Sequence, residues 1–184
     1  MNKDGVQKGK ILMKKYILIL ICSTLFLSMF SMPVESKEII GWLEMIRVYP
    51  GNLKLRAKMD TGAKGSAINA YNLKKFDRGK AAWVSFELRD NSKKTNIKQI
   101  FLEKKVINTI RIKRKGGGLE ERPVVNMEIC LGGVHKKIKM SLMDRSNFNY
   151  QILIGRRDLE NDFIIDPSAI FTHKPMCKVP RDKQ

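Results

Sequence analysis

Histidine is nearly missing from this chain: His135 and His173 are the only two in 184 residues. A zinc peptidase helix needs two histidines four apart with a glutamate between them. These two lie far apart without such neighbours, so both are read as surface residues and no metal site is expected. Also missing is the Gly-x-x-x-x-Gly-Lys-Ser/Thr loop that cradles nucleotide phosphates. Gly5 and Gly9-Lys10 are one residue too close and run into Ile11, so neither ATP nor any other cofactor is expected. Aromatic residues make up only 8%, with no base-stacking motif, which argues against nucleic acid as a partner. Acidic residues number 18 against 36 Lys and Arg, for a net charge of +18. Such an excess suits acidic partners such as nucleic acid, anionic lipid or an envelope polymer. The charges are scattered, however, and a solvated basic surface is the simpler reading. No repeat, heptad or low-complexity tract breaks the chain.

Long apolar runs are absent as well. The longest, Tyr16 to Phe30, falls short of the roughly 20 residues of a membrane span. It follows a basic segment with Lys3, Lys8, Lys10, Lys14 and Lys15, and precedes Pro33 and Val34-Glu35-Ser36. This is the pattern of an export signal. Residues 1–36 are therefore expected to be a signal peptide, with an uncleaved inner-membrane anchor facing the periplasm as the alternative. Bulky Ile21 before Cys22 speaks against lipidation. Residues 37–172 are expected to form one domain and 173–184 a polar, fraying tail. Beyond Cys22, cysteine is limited to Cys130 and Cys177. Cys130 lies in an apolar run and Cys177 in the tail. Two free thiols are expected, with a single disulfide as the alternative in an oxidising compartment.

What is present from Glu38 onward is strand material. Ile39 to Val48 is apolar and β-branched around Trp42. Leu53, Leu55, Ala57 and Met59 alternate with Lys54, Arg56 and Lys58, the period of a strand with one buried face. Pro50-Gly51-Asn52 makes the turn between the two. Trp83 to Leu88 is a short strand ended by Arg89-Asp90-Asn91-Ser92. Ile97 to Ile112 holds further strand material. Val124 to Leu131 and Val134 to Met143 flank Gly132-Gly133, a hairpin signal. Ile152 to Ile154 reads as a buried strand fragment, Arg156 to Asp162 as one or two helical turns, and Phe163 to Ile165 as a last strand before Pro167. The fold class is all-β, a barrel or sandwich with little helix.

Chemistry is concentrated in Asp60-Thr61-Gly62-Ala63, which closes the alternating strand. Odd positions face the core, so Asp60 points the other way, toward a cleft or partner. The Thr61 hydroxyl can bond a neighbouring backbone group. Gly62 permits a sharp turn and leaves its N–H beside the carboxylate, favouring the ionised form. Further along stand a glycine hairpin, Gly116-Gly117-Gly118, and the run Ile152-Leu153-Ile154-Gly155-Arg156.

This order resembles the retropepsins, the retroviral-type aspartic peptidases: catalytic loop, glycine flap, hairpin, then apolar-apolar-Gly behind the loop. It is more similar still to a bacterial exported group of retropepsin-like proteins, often labelled ATP-dependent zinc proteases. The matching residues are Glu38 to Trp42, Lys58 to Lys64 with Ser66, Asp144-Arg145, Ile152 to Arg157, and Phe163 to Ser168. Gly65 and Asn69 depart from the group, which more often has Thr and His there.

The resemblance implies a retropepsin-like acid-protease barrel with one short C-terminal helix. It implies Asp60 as the catalytic carboxylate, Thr61, Gly62, Ala63 and Ser66 as supports of its loop, Gly116 to Gly118 as a mobile flap, and Ile154, Gly155 and Arg156 as the motif behind the loop. Aspartic peptidases need two carboxylates sharing one proton and one water. No other Asp downstream of the signal is followed by Thr-Gly or Ser-Gly, so a symmetric homodimer cleaving a peptide or protein is expected. Asp144 is the internal candidate for a second carboxylate, with a structural role as the favoured alternative. Lys113, Arg114 and Lys115 beside the flap can guide acidic peptides or envelope polymers. The competing function is a non-catalytic module binding peptides or envelope polymer on the same fold.

Overall fold

The computed structural model describes residue 13 and residues 36–90, 97–113 and 116–178. The export-signal and anchor expectations fall almost wholly outside the described residues. Among those described, no helix is long and apolar enough to cross a membrane. The chain divides into Met1–Ser36 and Lys37–Gln184, and only the second unit is treated below.

Among the described residues of that unit are eleven strands and one helical turn. They are β1 (Glu38–Tyr49), β2 (Leu53–Asp60), β3 (Ser66–Asn69), β4 (Tyr71–Arg78), β5 (Ala81–Asp90) and β6 (Lys98–Lys105). Next come β7 (Asn108–Lys113), β8 (Leu119–Leu131), β9 (Val134–Met143), β10 (Ile152–Gly155), α1 (Arg156–Leu159) and β11 (Phe163–Ile170). The main sheet runs β11-β1-β2-β10-β3-β9-β8-β7, and β1 also pairs with β8. That extra pairing closes six strands into a barrel, leaving β11 and β7 as flanking edges. A separate antiparallel sheet is ordered β4-β5-β6.

The alternation read in β2 sets this architecture. Leu53, Leu55, Ala57 and Met59 are all buried, while Lys54 and Arg56 are exposed. They join Ile40, Ile46, Val125, Met127, Ile129, Met140, Leu142, Ile152 and Ile154 in one core. Gly132-Gly133 turns β8 into β9, whose ladder runs from Leu131↔Val134 to Val124↔Ser141. The parallel pairs β2–β10 and β3–β9 and the antiparallel pair β10–β3 thread the end of β2 through the centre of the sheet. The protein is all-β, with α1 as its short C-terminal helix.

Several local expectations change. β3 and β4 are strands where none was expected: β3 is a buried four-residue strand too short to show a period, and β4 is mostly polar because it faces solvent. β5 continues through Arg89 and Asp90 into the expected turn. Pro167 does not stop β11. It lies on the sheet edge, where a lost N–H costs no ladder bond, and β1–β11 pairing shifts register between Gly41 and Leu43 opposite this stretch.

The largest correction concerns the C-terminal segment. Cys130 and Cys177 form a disulfide rather than two free thiols, and residues 172–177 are tied down instead of frayed. Buried Glu44 explains much of this. Its carboxylate accepts from Gly41 N–H (2.9 Å), Thr172 N–H (2.9 Å), Thr172 Oγ1 (2.6 Å) and His173 N–H (3.3 Å). A buried carboxylate needs such donors, and Thr172 and His173 supply three of the four. Arg47 Nε to the Pro175 carbonyl and Met176 N–H to the Gly132 carbonyl extend the strap.

Candidate active site

Asp60 is the last residue of β2 and pairs with Gly155 at the end of β10. The strand phase turns it away from the core, and it is half-buried while Met59 beside it is buried. The loop after it folds back on the carboxylate: Gly62 N–H donates to Asp60 Oδ1 (3.2 Å) and Ala63 N–H to the Asp60 carbonyl (3.2 Å). Thr61 and Gly62 are exposed, so the acid stands at an accessible surface.

The start of α1 grips this loop from behind. Arg156 Nη1 donates to the carbonyls of Thr61 (2.8 Å) and Gly62 (3.1 Å). Arg156 N–H reaches the Ala63 carbonyl (2.9 Å), and Arg157 N–H the Lys64 carbonyl (3.2 Å). Gly155 must lack a side chain, because a Cβ there would lie 2.5 Å from the Gly65 carbonyl carbon and 2.6 Å from its oxygen. Ser66 ties the parts together. Its buried hydroxyl donates to Asp158 Oδ2 (2.6 Å) and accepts from Gly155 N–H (3.0 Å). Ile154 is buried in the core directly behind.

The structure thus brings Asp60, Thr61, Gly62, Ala63, Ser66, Ile154, Gly155 and Arg156 into one assembly. Gly116, Gly117 and Gly118 lie on another element. They form the tip of the β7–β8 hairpin, each with positive φ and with open space where a side chain would be. Arg114 and Lys115 of the basic tip lie outside the described residues. Asp144 also stands apart. Its neighbour Met143 pairs with Asn69, whose N–H bonds the Gln151 carbonyl at the start of β10. Asp60 pairs at the other end of that strand, roughly 13 Å away along it at ~3.3 Å per residue. Asp144 is exposed, and the Ser146 hydroxyl, then the Ser146 N–H, hold its carboxyl below the ordinary value.

Two residues carry more of the site than the sequence suggested. Asp158 is buried and anchors Ser66. It follows the Ile-Leu-Ile-Gly-Arg run, and no local pattern marks it as buried. Arg145, adjacent to Asp144, is 6% exposed. Its Nε donates to the Tyr150 carbonyl (3.1 Å), and its guanidinium lies 4.4 Å from the Phe148 ring centre. Burial, then the Arg122 guanidinium, lower its pKa, while the Asp60 carboxylate raises it. Arg145 therefore feels the charges of both Arg122 and Asp60. Asn69, one of the two departures from the group, accepts from Arg145 N–H (2.7 Å). Its buried Nδ2 has no partner among the described residues.

Known proteins place these features in context. A protein from Shewanella halifaxensis named "Probable alpha-L-glutamate ligase" is 37% identical over 141 residues, which is 74% of this chain and 30% of that protein. A Desulfotalea psychrophila protein of the same name is 30% identical over 138 residues, 72% of this chain and 29% of the other. The chain thus spans about a third of the length of these curated relatives. The crystal structure of a Legionella pneumophila protein of unknown function superposes with a TM-score of 0.62 at 29% identity, covering 76% of this chain and all of that one. The family model described as retropepsin-like aspartic endopeptidase RimB matches residues 39–176, and by that match the chain belongs to the RimB-like family of retropepsin-like proteins.

Proposed function

We propose that this chain is an aspartic endopeptidase whose working site is completed by a second copy, with Asp60 from each chain at a two-fold axis. The observation that carries this reading is the bracing of the Asp60 loop by Gly155, Arg156 and the Ser66–Asp158 pair. It holds one carboxylate at an accessible surface with a backbone donor already on it. With two copies facing each other, one Asp60 remains protonated because like charges that close do not both ionise. The ionised member takes a proton from water as the oxygen attacks the scissile carbonyl, and the protonated member donates to the carbonyl oxygen. No covalent intermediate, zinc or ATP enters this scheme. The β7–β8 hairpin with Gly116 to Gly118 serves as the flap that closes over substrate. Asp144 is assigned to its own Ser146 turn. Ligation, the activity in the relatives' name, is not carried over, because the shared segment is under a third of their length. The chain is taken to act after export, with residues 1–36 as signal or anchor.

The test is Asp60→Asn against wild type on a peptide mixture, with mass in solution measured alongside. Cleavage is expected to fall by at least about a thousandfold at unchanged thermal stability, and active material is expected to be dimeric. An unchanged cleavage rate would refute the reading. A monomer that binds peptides without cutting them supports the second reading, a binding module. The single Asp-Thr-Gly per chain is the observation that favours it.

A further inference from the structure

The sheet β4-β5-β6 is separate from the one that carries Asp60. In β5, Val84, Phe86 and Leu88 are buried, so Trp83, Glu87 and Arg89 turn to the opposite face. The ladder sets β4 and β6 beside them. Phe76 and Lys105 flank Trp83, and Tyr71 and Phe101 flank Glu87. Four aromatic rings and several cations therefore share one face. The chain's low aromatic content argues against a nucleic-acid partner only as an average, because strand pairing, and not sequence spacing, gathers these rings.

The Arg78 guanidinium lies over the Trp83 ring, 4.3 Å from its centre, and 5.5 Å from the centre of Phe76. Glu103 holds it there through an ion pair. The Arg89 guanidinium lies over Tyr71 at 4.6 Å and is held by Glu87 at 2.7 Å. Each carboxylate takes only part of the edge of its guanidinium, which has five donors in all. Phe101 is 63% exposed. Lys74, opposite Ser85, and Lys105 add exposed ammonium groups.

We infer that this face binds single-stranded nucleic acid. Bases stack on Phe101 and on the outer side of the Arg78–Trp83 stack, and phosphates pair with Lys74 and Lys105. Rings and guanidinium planes take the faces of nucleobases with little regard to sequence. A duplex keeps those faces between its own base pairs and offers only base edges. An acidic polysaccharide or an acidic peptide brings charge but no planar ring to lie on a guanidinium. Phe101 sits opposite Glu87, four positions along β5 from Trp83, which is about 13 Å at ~3.3 Å per residue. That is the length of about four nucleotides at ~3.4 Å per base. The inference is independent of the endopeptidase reading, because no group of the Asp60 loop enters it.

The experiment follows the fluorescence anisotropy of a labelled oligo(dT) of about 12 nucleotides, within the usual site size, titrated with the full chain at a series of salt concentrations. Binding is expected, with a duplex of the same length and polygalacturonate competing at least about tenfold more weakly. Phe101→Ala should weaken binding at least about fivefold, the loss of one stacked base. Arg78→Lys keeps the charge and removes the plane; it should weaken binding about fivefold with the salt dependence unchanged. Lys74→Gln/Lys105→Gln should reduce the slope of log K against log salt by about 1.4, at ~0.7 per phosphate. All four substituted side chains are exposed, so each variant should keep its Tm and its peptide cleavage. Failure to bind oligo(dT) overturns the inference. Equal competition by duplex or polygalacturonate overturns it as well, since the face is then a general polyanion surface. So does full affinity in Phe101→Ala or in Arg78→Lys.

Discussion

Replacing Ser66 by alanine removes one oxygen that serves two partners. Asp158 Oδ2 loses a donor at 2.6 Å, and Gly155 N–H loses its acceptor at 3.0 Å. Ser66 is 3% exposed and Asp158 7%, so water does not readily replace the hydroxyl. A hydrogen bond to a charged group contributes about 1.5–3 kcal/mol, and a buried N–H left without a partner costs about 1–3 kcal/mol. Because both changes share one site they do not simply add, and a loss of about 3 kcal/mol is expected. For a domain of this size that lowers Tm by roughly 6–12 °C. Ser141→Ala is the internal comparison, since its hydroxyl makes one neutral bond, to the Ser66 carbonyl at 3.2 Å, worth about 1 kcal/mol. Urea unfolding of both variants measures the difference directly. If Ser66→Ala costs no more than Ser141→Ala, Ser66 is not the clamp described above.

Three other outcomes follow from the same geometry. Gly155→Ala forces a Cβ into the Gly65 backbone; it should cost about 1–3 kcal/mol and abolish peptide cleavage, read by thermal unfolding and turnover together. Reducing Cys130–Cys177 opens a link across 47 residues, so stability should fall by up to about 4 kcal/mol in denaturation with and without dithiothreitol. The Asp144 and Asp166 carboxyls are both held below their ordinary values, by the hydroxyl and N–H of Ser146 and Ser168 respectively. A carboxyl depressed in the folded state favours folding above its unfolded pKa, and that contribution vanishes as pH falls through the folded value. The double variant Ser146→Ala/Ser168→Ala should therefore lose less stability than wild type between pH 5 and pH 2, measured by urea unfolding at each pH.

Much of this arrangement was readable from local pattern. The alternation from Leu53 to Met59 fixes which way Asp60 points, and Gly132-Gly133 marks the β8–β9 turn. The Ile-Leu-Ile-Gly-Arg run signals the support behind the loop, because both its glycine and its arginine have backbone to meet there. Other parts depend on residues far apart in sequence, and no local period reports them. Ser66 meets Asp158 across 92 positions, and the Glu44 carboxylate is completed by Thr172 across 128. The tail looked ready to fray because it is polar and proline-punctuated, and nothing near it announces a buried acid in β1. No local pattern marks Arg145 as buried, although Phe148 and the Tyr150 carbonyl enclose it.

The parallel pairing of β2 with β10 has a temporal consequence. Asp60 emerges early from the ribosome, yet Arg156, which holds the next residue's carbonyl, lies 95 residues behind Thr61. Glu38 to Gly41 likewise wait for Phe163 to Asp166. A nascent chain therefore carries its carboxylate on an unsupported loop until nearly all of the barrel has been delivered. The loop therefore reaches its braced form only once β10 and α1 are in place.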